Sequence, residues 1–313
     1  MISCQNLTKY YGKSRGIENL NLEILKGEVF GFLGPNGAGK TTTIRTLLGL
    51  IHKTSGQASV FGLDSELNSV EIRKRVAYLP GELGEFEGKS VRRILKYLFG
   101  LYDSNVKWPR VKELASILRL PLDRKMNHLS KGNKQKVGVV LALAPDTELL
   151  ILDEPTSGLD PLITMDVYKL LSEKQAESGC TILLSSHLLG EVEKVADRVG
   201  IIRGGSIAEV ATLQQLKGLA LKRVELLFDS HIDDTTLRTQ LPTDIIEELT
   251  IEDSRAYLLV NRENLRKLLK SLSEVKFSNL DISSPDLEEI FLKYYSNDST
   301  IYQEDKTPIS EGL

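Results

Sequence analysis

The chain has 313 residues, of which 41% are hydrophobic and 27% are charged, and its formal net charge is −3. This length can bury one large hydrophobic core and a second, smaller one, whereas no apolar run reaches the ~20 residues of a membrane-spanning helix. The lysines and arginines form no dense stripe, so we expect no nucleic-acid partner. Cys4 and Cys180 are too few for a disulfide framework, and we expect reduced thiols in a cytosolic protein.

As far as about residue 210, short apolar runs alternate with helical patterns, which is typical of an α/β fold with a largely parallel sheet. Four runs are predicted to be buried strands: 28–33, 149–153, 181–185 and 199–202. Between about residues 83 and 145, apolar residues recur at three- and four-residue spacing, which predicts an inserted helical subdomain. The first domain is therefore expected to span residues 1–214.

A second domain is predicted after a connection around residues 213–218. Its pattern is strand, helix, strand, strand, helix, strand and a closing helix, which indicates a ferredoxin-like α+β domain over residues 219–295. The second of its helices is expected to place four leucines on one face: Leu265, Leu268, Leu269 and Leu272. The closing helix is expected to begin at Ser284 and Pro285 and to carry an apolar face of Leu287, Ile290, Phe291 and Tyr294. Residues 296–313 are polar and are expected to form a disordered tail.

A glycine-rich stretch follows the strand predicted at residues 28–33. The stretch, GPNGAGKT at 34–41, matches the phosphate-loop pattern G-x4-G-K-[ST] between a strand and a helix. Its backbone N–H groups can surround phosphate oxygens, while Lys40 supplies positive charge and the Thr41 hydroxyl can bind Mg²⁺. The predicted nucleotide-binding residues are Gly34, Pro35, Asn36, Gly37, Ala38, Gly39, Lys40, Thr41 and Thr42. The alternative, a turn that merely links strand to helix, is disfavoured by the flanking elements.

Two adjacent acidic residues follow the apolar run that ends at residue 153. Asp153 is predicted to hold Mg²⁺ through water, and Glu154, one residue further, is the candidate general base. Two acids at a strand end can also be solvent-facing loop residues. Because the same chain carries a phosphate loop, we favour the catalytic interpretation.

Three further motifs resemble those of the ABC ATPase family, and they occur in the family's order. LSKGN at residues 129–133 resembles the signature L-S-G-G-Q, and it is followed by SGLD at 157–160 and SSH at 185–187. The resemblance implies an ATPase that uses ATP and Mg²⁺. It also implies an α/β P-loop NTPase fold of ABC type, in which an antiparallel β-subdomain and a helical subdomain accompany the nucleotide-binding core.

The resemblance also implies roles for single residues. Ser130 and Gly132 would face the γ-phosphate bound by an opposite subunit, although Ser130 could simply cap a helix. Asp160 would link the two ATP sites. His187 would contact the γ-phosphate and join Glu154 and Lys40 as a catalytic residue, although a histidine after a strand is often structural. Tyr11 would pack its ring against adenine, with the adjacent Tyr10, or a purely structural tyrosine, as alternatives.

The sequence departs from the family pattern at a few positions. Lys131 and Asn133 differ from the common signature. Gly81 stands where the family usually has a glutamine that binds Mg²⁺ and relays to the permease, and Glu82 follows it. Glu82 could enter the metal's coordination shell or be a solvated loop acid, and we favour the second interpretation.

The C-terminal end, LEEIFLKYY, resembles exporter subunits whose ATPase and permease are separate chains, a group that includes antibiotic, bacteriocin and lipid exporters. We therefore expect a cytoplasmic subunit, peripheral on the inner face of the cell membrane, that dimerises with a second ATPase subunit and powers export through a permease. Residues 81–88 and the helices after them would contact that permease. The alternatives are an ABC ATPase acting on ribosomes or DNA, and an ATP-gated regulatory module without turnover.

Overall fold

The computed structural model describes residues 1–84, 88–101, 106–213, 215, 221–231, 233, 237–239, 241–273 and 275–283. The chain forms two compact units, Met1–Leu213 and Gln214–Leu313, which we call the N-terminal and C-terminal units. The closing helix expected from Ser284, with Leu287, Ile290, Phe291 and Tyr294, lies outside the described residues, as does the tail at 296–313.

The N-terminal unit contains ten strands and two sheets in its described part. In chain order the strands are β1 (Ile2–Tyr11), β2 (Ser14–Ile24), β3 (Val29–Leu33), β4 (Ser55–Val60), β5 (Leu63–Asp64), β6 (Val76–Leu79), β7 (Leu149–Asp153), β8 (Thr181–Ser186), β9 (Arg198–Arg203) and β10 (Ser206–Thr212). One sheet has the order β2-β1-β4-β5 and is antiparallel throughout. It confirms the antiparallel β-subdomain.

The second sheet has the order β10-β9-β3-β8-β7-β6, and every pair except β9 with β10 is parallel. Every residue of β3, β7 and β8 is buried. A strand that is covered on both faces is a continuous apolar run, without the alternation of apolar and polar residues seen in half-exposed strands. For this reason the sequence predicted the ends of β3, β7 and β8 to within one residue. The largely parallel α/β sheet is thus confirmed.

The α-helices of the N-terminal unit are α1 (Lys40–Leu47), α2 (Ser69–Lys74), α3 (Val91–Leu101), α4 (Trp108–Ile117), α5 (Lys131–Leu143), α6 (Pro161–Ser178) and α7 (Leu189–Val192), and a 3-10 helix, Met126–His128, precedes α5. Helices α3, α4 and α5 occupy the segment for which the sequence predicts helices. None of the helices in the described ranges is long and apolar enough to cross a membrane.

The C-terminal unit contains the strands β11 (Leu221–Leu227), β12 (Ile246–Glu252), β13 (Arg255–Asn261) and β14 (Asn279–Ser283), and the helix α8 (Leu265–Leu272). Its sheet has the order β12-β13-β11-β14, with all neighbours antiparallel. This is the strand order of the ferredoxin-like fold. Leu268 and Leu272 are buried against the sheet, whereas Leu269 is 37% exposed, so the apolar face of α8 is narrower than predicted.

Candidate nucleotide-binding site

Three loops of the parallel sheet meet at one edge. β3 leads into the phosphate loop (residues 34–41), β7 ends at Asp153 and Glu154, and β8 leads into His187. Because β3, β8 and β7 are adjacent and parallel, their carboxyl ends lie side by side. The topology thereby brings together residues that are more than 100 positions apart in the sequence.

The phosphate loop borders a cavity of about 250 Å³. The cavity is lined by Tyr11, Arg15, Gly16, Pro35, Asn36, Gly37, Gly39, Lys40, Thr41, Thr42 and Glu154. The predicted Gly34 and Ala38 do not line it. Gly39 has φ of 110°, and a Cβ there would lie 2.7 Å from the carbonyl oxygen of Gly16. Only glycine fits this left-handed, crowded position.

The Lys40 side chain lies inside the loop and is only 6% exposed. Its Nζ donates to the carbonyl oxygens of Gly34 at 2.5 Å and Pro35 at 3.2 Å. The same Nζ lies 3.3 Å from Oε1 of Glu154. A buried ammonium group needs such partners, and here they hold its charge at the rim of the cavity.

Asp153, which is only 1% exposed, connects the phosphate loop to β8. Its Oδ2 accepts from the Thr41 hydroxyl at 2.7 Å, and its Oδ1 accepts from the Ser185 hydroxyl at 2.6 Å. Burial, and after it the negative charge of Asp153, raise the pKa of Tyr78. The structure therefore places the two predicted metal ligands, Thr41 and Asp153, in direct contact.

This donor set fits Mg²⁺, which is usually held by one or two protein oxygens together with water and substrate phosphates. The described residues contain no group of three His, Cys, Asp or Glu side chains that could form an all-protein site. Gly81 lies beside Asp153, since a Cβ there would be 3.7 Å from Oδ2 of Asp153. In the described part of the chain Glu82 makes no hydrogen bond to Thr41 or Asp153.

Glu154 is held by hydrogen bonds at three atoms: its backbone N–H, its carbonyl oxygen and Oε2. Its backbone has φ of 52°, an uncommon left-handed conformation for glutamate, and its N–H lies 3.2 Å from both the carbonyl and the hydroxyl oxygen of Ser185. Its carbonyl oxygen accepts from Nε2 of Gln135 at 3.0 Å. Its Oε2 lies 2.8 Å from Nδ1 of His187, and because a carboxylate can only accept, Nδ1 carries the hydrogen. Oε1 is buried and has no hydrogen-bond partner among the described residues.

Glu191, in the short helix α7, connects the segment after β7 to the end of β8. Its Oε2 accepts from the hydroxyls of Thr156 at 2.8 Å and Ser186 at 2.9 Å. The hydroxyl of Tyr168 lies 3.4 Å from that of Thr156, and burial raises the pKa of Tyr168. Glu191 therefore holds the segment after Glu154 against the residue that precedes His187.

Asp153 and His187 do not line the cavity themselves but contact Thr41 and Glu154, which do. The three residues predicted to act toward a second subunit do not line it either. Ser130 is the N-cap of α5 and accepts from the Asn133 N–H at 3.3 Å, while Asp160 is the N-cap of α6 and accepts from the Ile163 N–H at 3.0 Å. Gly132 packs against Gly158, as a Cβ there would lie 2.5 Å from the Gly158 carbonyl oxygen. Within this chain they act as caps and packing sites, and their predicted roles toward a second subunit stay predictions.

Tyr11 lines the cavity and is 47% exposed, whereas the Tyr10 hydroxyl donates to Oε1 of Glu18 at 2.8 Å. The geometry therefore favours Tyr11 over Tyr10 as the residue available to a ligand. Arg15 and Gly16 also line the cavity, although the sequence did not predict either of them as a site residue. No motif marks them, because they reach the site only through the pairing of β1 with β2.

Comparisons with known proteins show the family of this chain. The profile of the ABC transporter family matches residues 17–157. The bacitracin transport ATP-binding protein BcrA of Bacillus licheniformis is 34% identical over 94% of this chain and 96% of that protein. The chain belongs to the family of ABC transporter ATP-binding proteins. As a member of that family it is an ATPase that binds ATP.

Two solved structures share the fold. The first, an ATP-binding subunit of an ABC transporter, has a TM-score of 0.61 and 29% identity, and the match covers 69% of this chain and 92% of that one. The second is the dimeric cassette MJ0796 in a post-hydrolysis state bound to ADP and Pi, with a TM-score of 0.61, 23% identity, and coverage of 68% and 99%. At that identity the second match shows the fold alone.

Proposed function

We propose that this ATPase powers export of a substrate through a separate membrane permease, by closing on ATP with a second ATPase subunit at the cytoplasmic face of the membrane. The observation that carries the hydrolytic part is that Glu154, which lines the cavity together with Lys40, contacts both Lys40 and His187. The likeness to BcrA over nearly the whole length of both chains supports export, and it makes bacitracin the first substrate to test.

ATP would enter with its adenine against Tyr11 and its phosphates in the phosphate loop. Phosphate oxygens then replace the partners of Lys40 Nζ, because a doubly charged γ-phosphate attracts an ammonium more strongly than two carbonyl oxygens do. Glu154 Oε1, which lies 3.3 Å from that Nζ, is left free to accept a proton. Water attacks the γ-phosphorus, its proton passes to Glu154 Oε1, and ADP leaves with the electron pair of the broken bond.

Thr41 and Asp153 would hold Mg²⁺, which supplies positive charge to the β- and γ-phosphates. His187 holds the carboxylate of Glu154 in place through its Nδ1 hydrogen bond at 2.8 Å. Because His187 is 42% exposed, it can also approach a bound γ-phosphate. We assign Lys40, Glu154 and His187 as the catalytic residues on this basis.

The second subunit would bring Ser130 and Gly132 to the nucleotide. α5 is a 13-residue helix that has no acidic side chain in its first turn, so its N-terminus offers an uncancelled positive dipole end to a phosphate. Asp160 would connect the two nucleotide sites. The MJ0796 cassette, which shares this fold, is a dimer.

The C-terminal unit would modulate dimer assembly or coupling to the permease. It has its own core and contributes no described residue to the nucleotide cavity. The permease contact is proposed for residues 81–88 and the helices that follow, of which residues 85–87 lie outside the described part.

Replacing Glu154 with glutamine tests the hydrolytic assignment and the dimer together. Glu154→Gln should keep ATP affinity but lower the steady-state ATPase rate by about a hundredfold or more, because the amide cannot accept the proton. ATP with Mg²⁺ should then double the mass seen by size-exclusion chromatography with light scattering.

The matched control is Glu148→Gln. Glu148 lies just before β7, whereas Glu154 lies just after it, and Glu148 pairs with Arg75 outside the cavity. Its substitution should leave turnover unchanged. Undiminished turnover in Glu154→Gln would refute the general-base role, and a monomer with ATP would refute the closed dimer. Export is tested separately, by asking which membrane protein co-purifies with the chain and whether its loss sensitises cells to bacitracin.

A further inference from the structure

We propose that Gln135 is a positioning residue that ties the N-terminal part of α5 to Glu154 of the same chain. Gln135 lies in the second turn of α5 and is only 6% exposed. Its Nε2 donates to the carbonyl oxygen of Glu154 at 3.0 Å. This contact joins the helix that begins at the LSKGN motif to the backbone of the catalytic glutamate, and the inference rests on the function proposed above.

The carbonyl contact acts on a backbone that is not in its relaxed conformation. A glutamate at φ of 52° persists only where its surroundings hold it, and such positions are found disproportionately at functional sites. Ser185 holds the Glu154 N–H from one side and Gln135 holds the carbonyl from the other. Without Gln135, the carbonyl keeps only the N–H of Ser157, at 3.2 Å, which belongs to the same turn. The carbonyl then has no restraint from outside its own segment, and the carboxylate loses a defined position beside Lys40.

The same part of α5 contacts a second point of the 154–160 segment. Gly132, in the first turn, packs so closely on Gly158 that a Cβ would lie 2.5 Å from the Gly158 carbonyl oxygen. Gln135 lies one turn further along and contacts Glu154. Because α5 contacts residues 154–160 at two points, this segment cannot pivot about a single contact. A displacement of α5 is therefore passed to the segment more fully than through one contact. In the proposed dimer, a nucleotide that displaced the start of α5 would therefore also displace Glu154.

A buried hydrogen bond can also serve stability alone, and a second glutamine of this chain provides the matched control. Gln175, on α6, donates from Nε2 to the carbonyl oxygen of Gly27 at 2.8 Å. Gln135→Leu and Gln175→Leu each remove one amide-to-carbonyl hydrogen bond and keep most of the side-chain volume. Both should lower the unfolding midpoint by similar amounts, whereas only Gln135→Leu should lower kcat, by about tenfold, with KM for ATP unchanged.

Combining Gln135→Leu with Glu154→Gln separates positioning from a general loss of structure. If Gln135 acts through the carboxylate of Glu154, Gln135→Leu should not lower further the residual single-turnover rate of Glu154→Gln. Gln135→Glu, which keeps the shape of the side chain but cannot donate when ionised, should reproduce the kcat loss if the leucine variant does not fold.

The outcomes distinguish the two hypotheses. Wild-type kcat in both Gln135 variants, or the same fold loss with and without Glu154→Gln, would overturn the positioning role. Wild-type turnover in Glu154→Gln alone would overturn the proposed function, and the positioning role with it. A kcat loss confined to Gln135 variants that retain Glu154 supports the proposal.

Discussion

The two units of the chain differ in the kinds of side chain that they bury. The parallel sheet of the N-terminal unit encloses charged and polar side chains, including Lys40, Asp153 and Gln135, at its carboxyl edge. In the described part of the C-terminal unit, the buried side chains are apolar, for example Val224 and Leu258. Burying a polar group costs free energy unless a partner satisfies it, so polar burial indicates where a fold serves chemistry as well as stability.

The largest contrast between the units is expected from their lysines. Lys40→Ala removes the buried charge at the phosphate loop, so ATP hydrolysis should fall on the order of a thousandfold or more and ATP affinity should weaken. Lys267→Ala, on the exposed face of α8, should change neither. Titration with a fluorescent ATP analogue and a phosphate-release assay measure both quantities. Normal binding and turnover in Lys40→Ala would rule out the assignment of the phosphate loop.

A smaller effect is expected from Glu191, whose hydrogen-bond partners, Thr156 and Ser186, are not predicted to bind nucleotide or metal. Glu191→Met removes the acceptor shared by Thr156 and Ser186, so the segment after β7 and the end of β8 should lose their connection and kcat should fall by about tenfold. Glu191→Gln keeps an acceptor oxygen and should stay within about threefold of the wild type. Equal losses in both variants would mean that the charge of Glu191, rather than its hydrogen bonds, matters to turnover.

The smallest effect on turnover is expected from the core of the C-terminal unit. Leu184→Ala in β8 and Leu258→Ala in β13 each truncate a fully buried leucine, and each should cost about 2–5 kcal/mol of local stability. Leu184 precedes Ser185, so its loss should also reduce kcat, whereas Leu258→Ala should leave it unchanged. Denaturant unfolding together with ATPase assays checks both expectations. A kcat loss in Leu258→Ala would show that the C-terminal unit contributes to hydrolysis.

The sequence alone predicted the elements whose signals are local. The strands at the carboxyl edge were identified because residues buried on both faces form continuous apolar runs, as in 149–153. The phosphate loop was identified because its glycines and Lys40 must occur at fixed spacing around a phosphate. The ferredoxin-like order of the C-terminal unit followed from the same periodicity. These features depend on residues within about ten positions of one another.

Only the tertiary structure decided which distant polar side chains meet. Gln135 and Glu191 lie in helical patterns that do not distinguish a solvated glutamine or glutamate from one bound to a catalytic loop. Arg15 reaches the nucleotide cavity through strand pairing, and Gly81 lies beside Asp153 although 72 residues separate them in the sequence. A hydrogen bond needs atoms within about 3 Å, and sequence spacing fixes such distances only inside one turn or strand. The distances between residues that are far apart in the sequence are set by the order of the strands in the sheet.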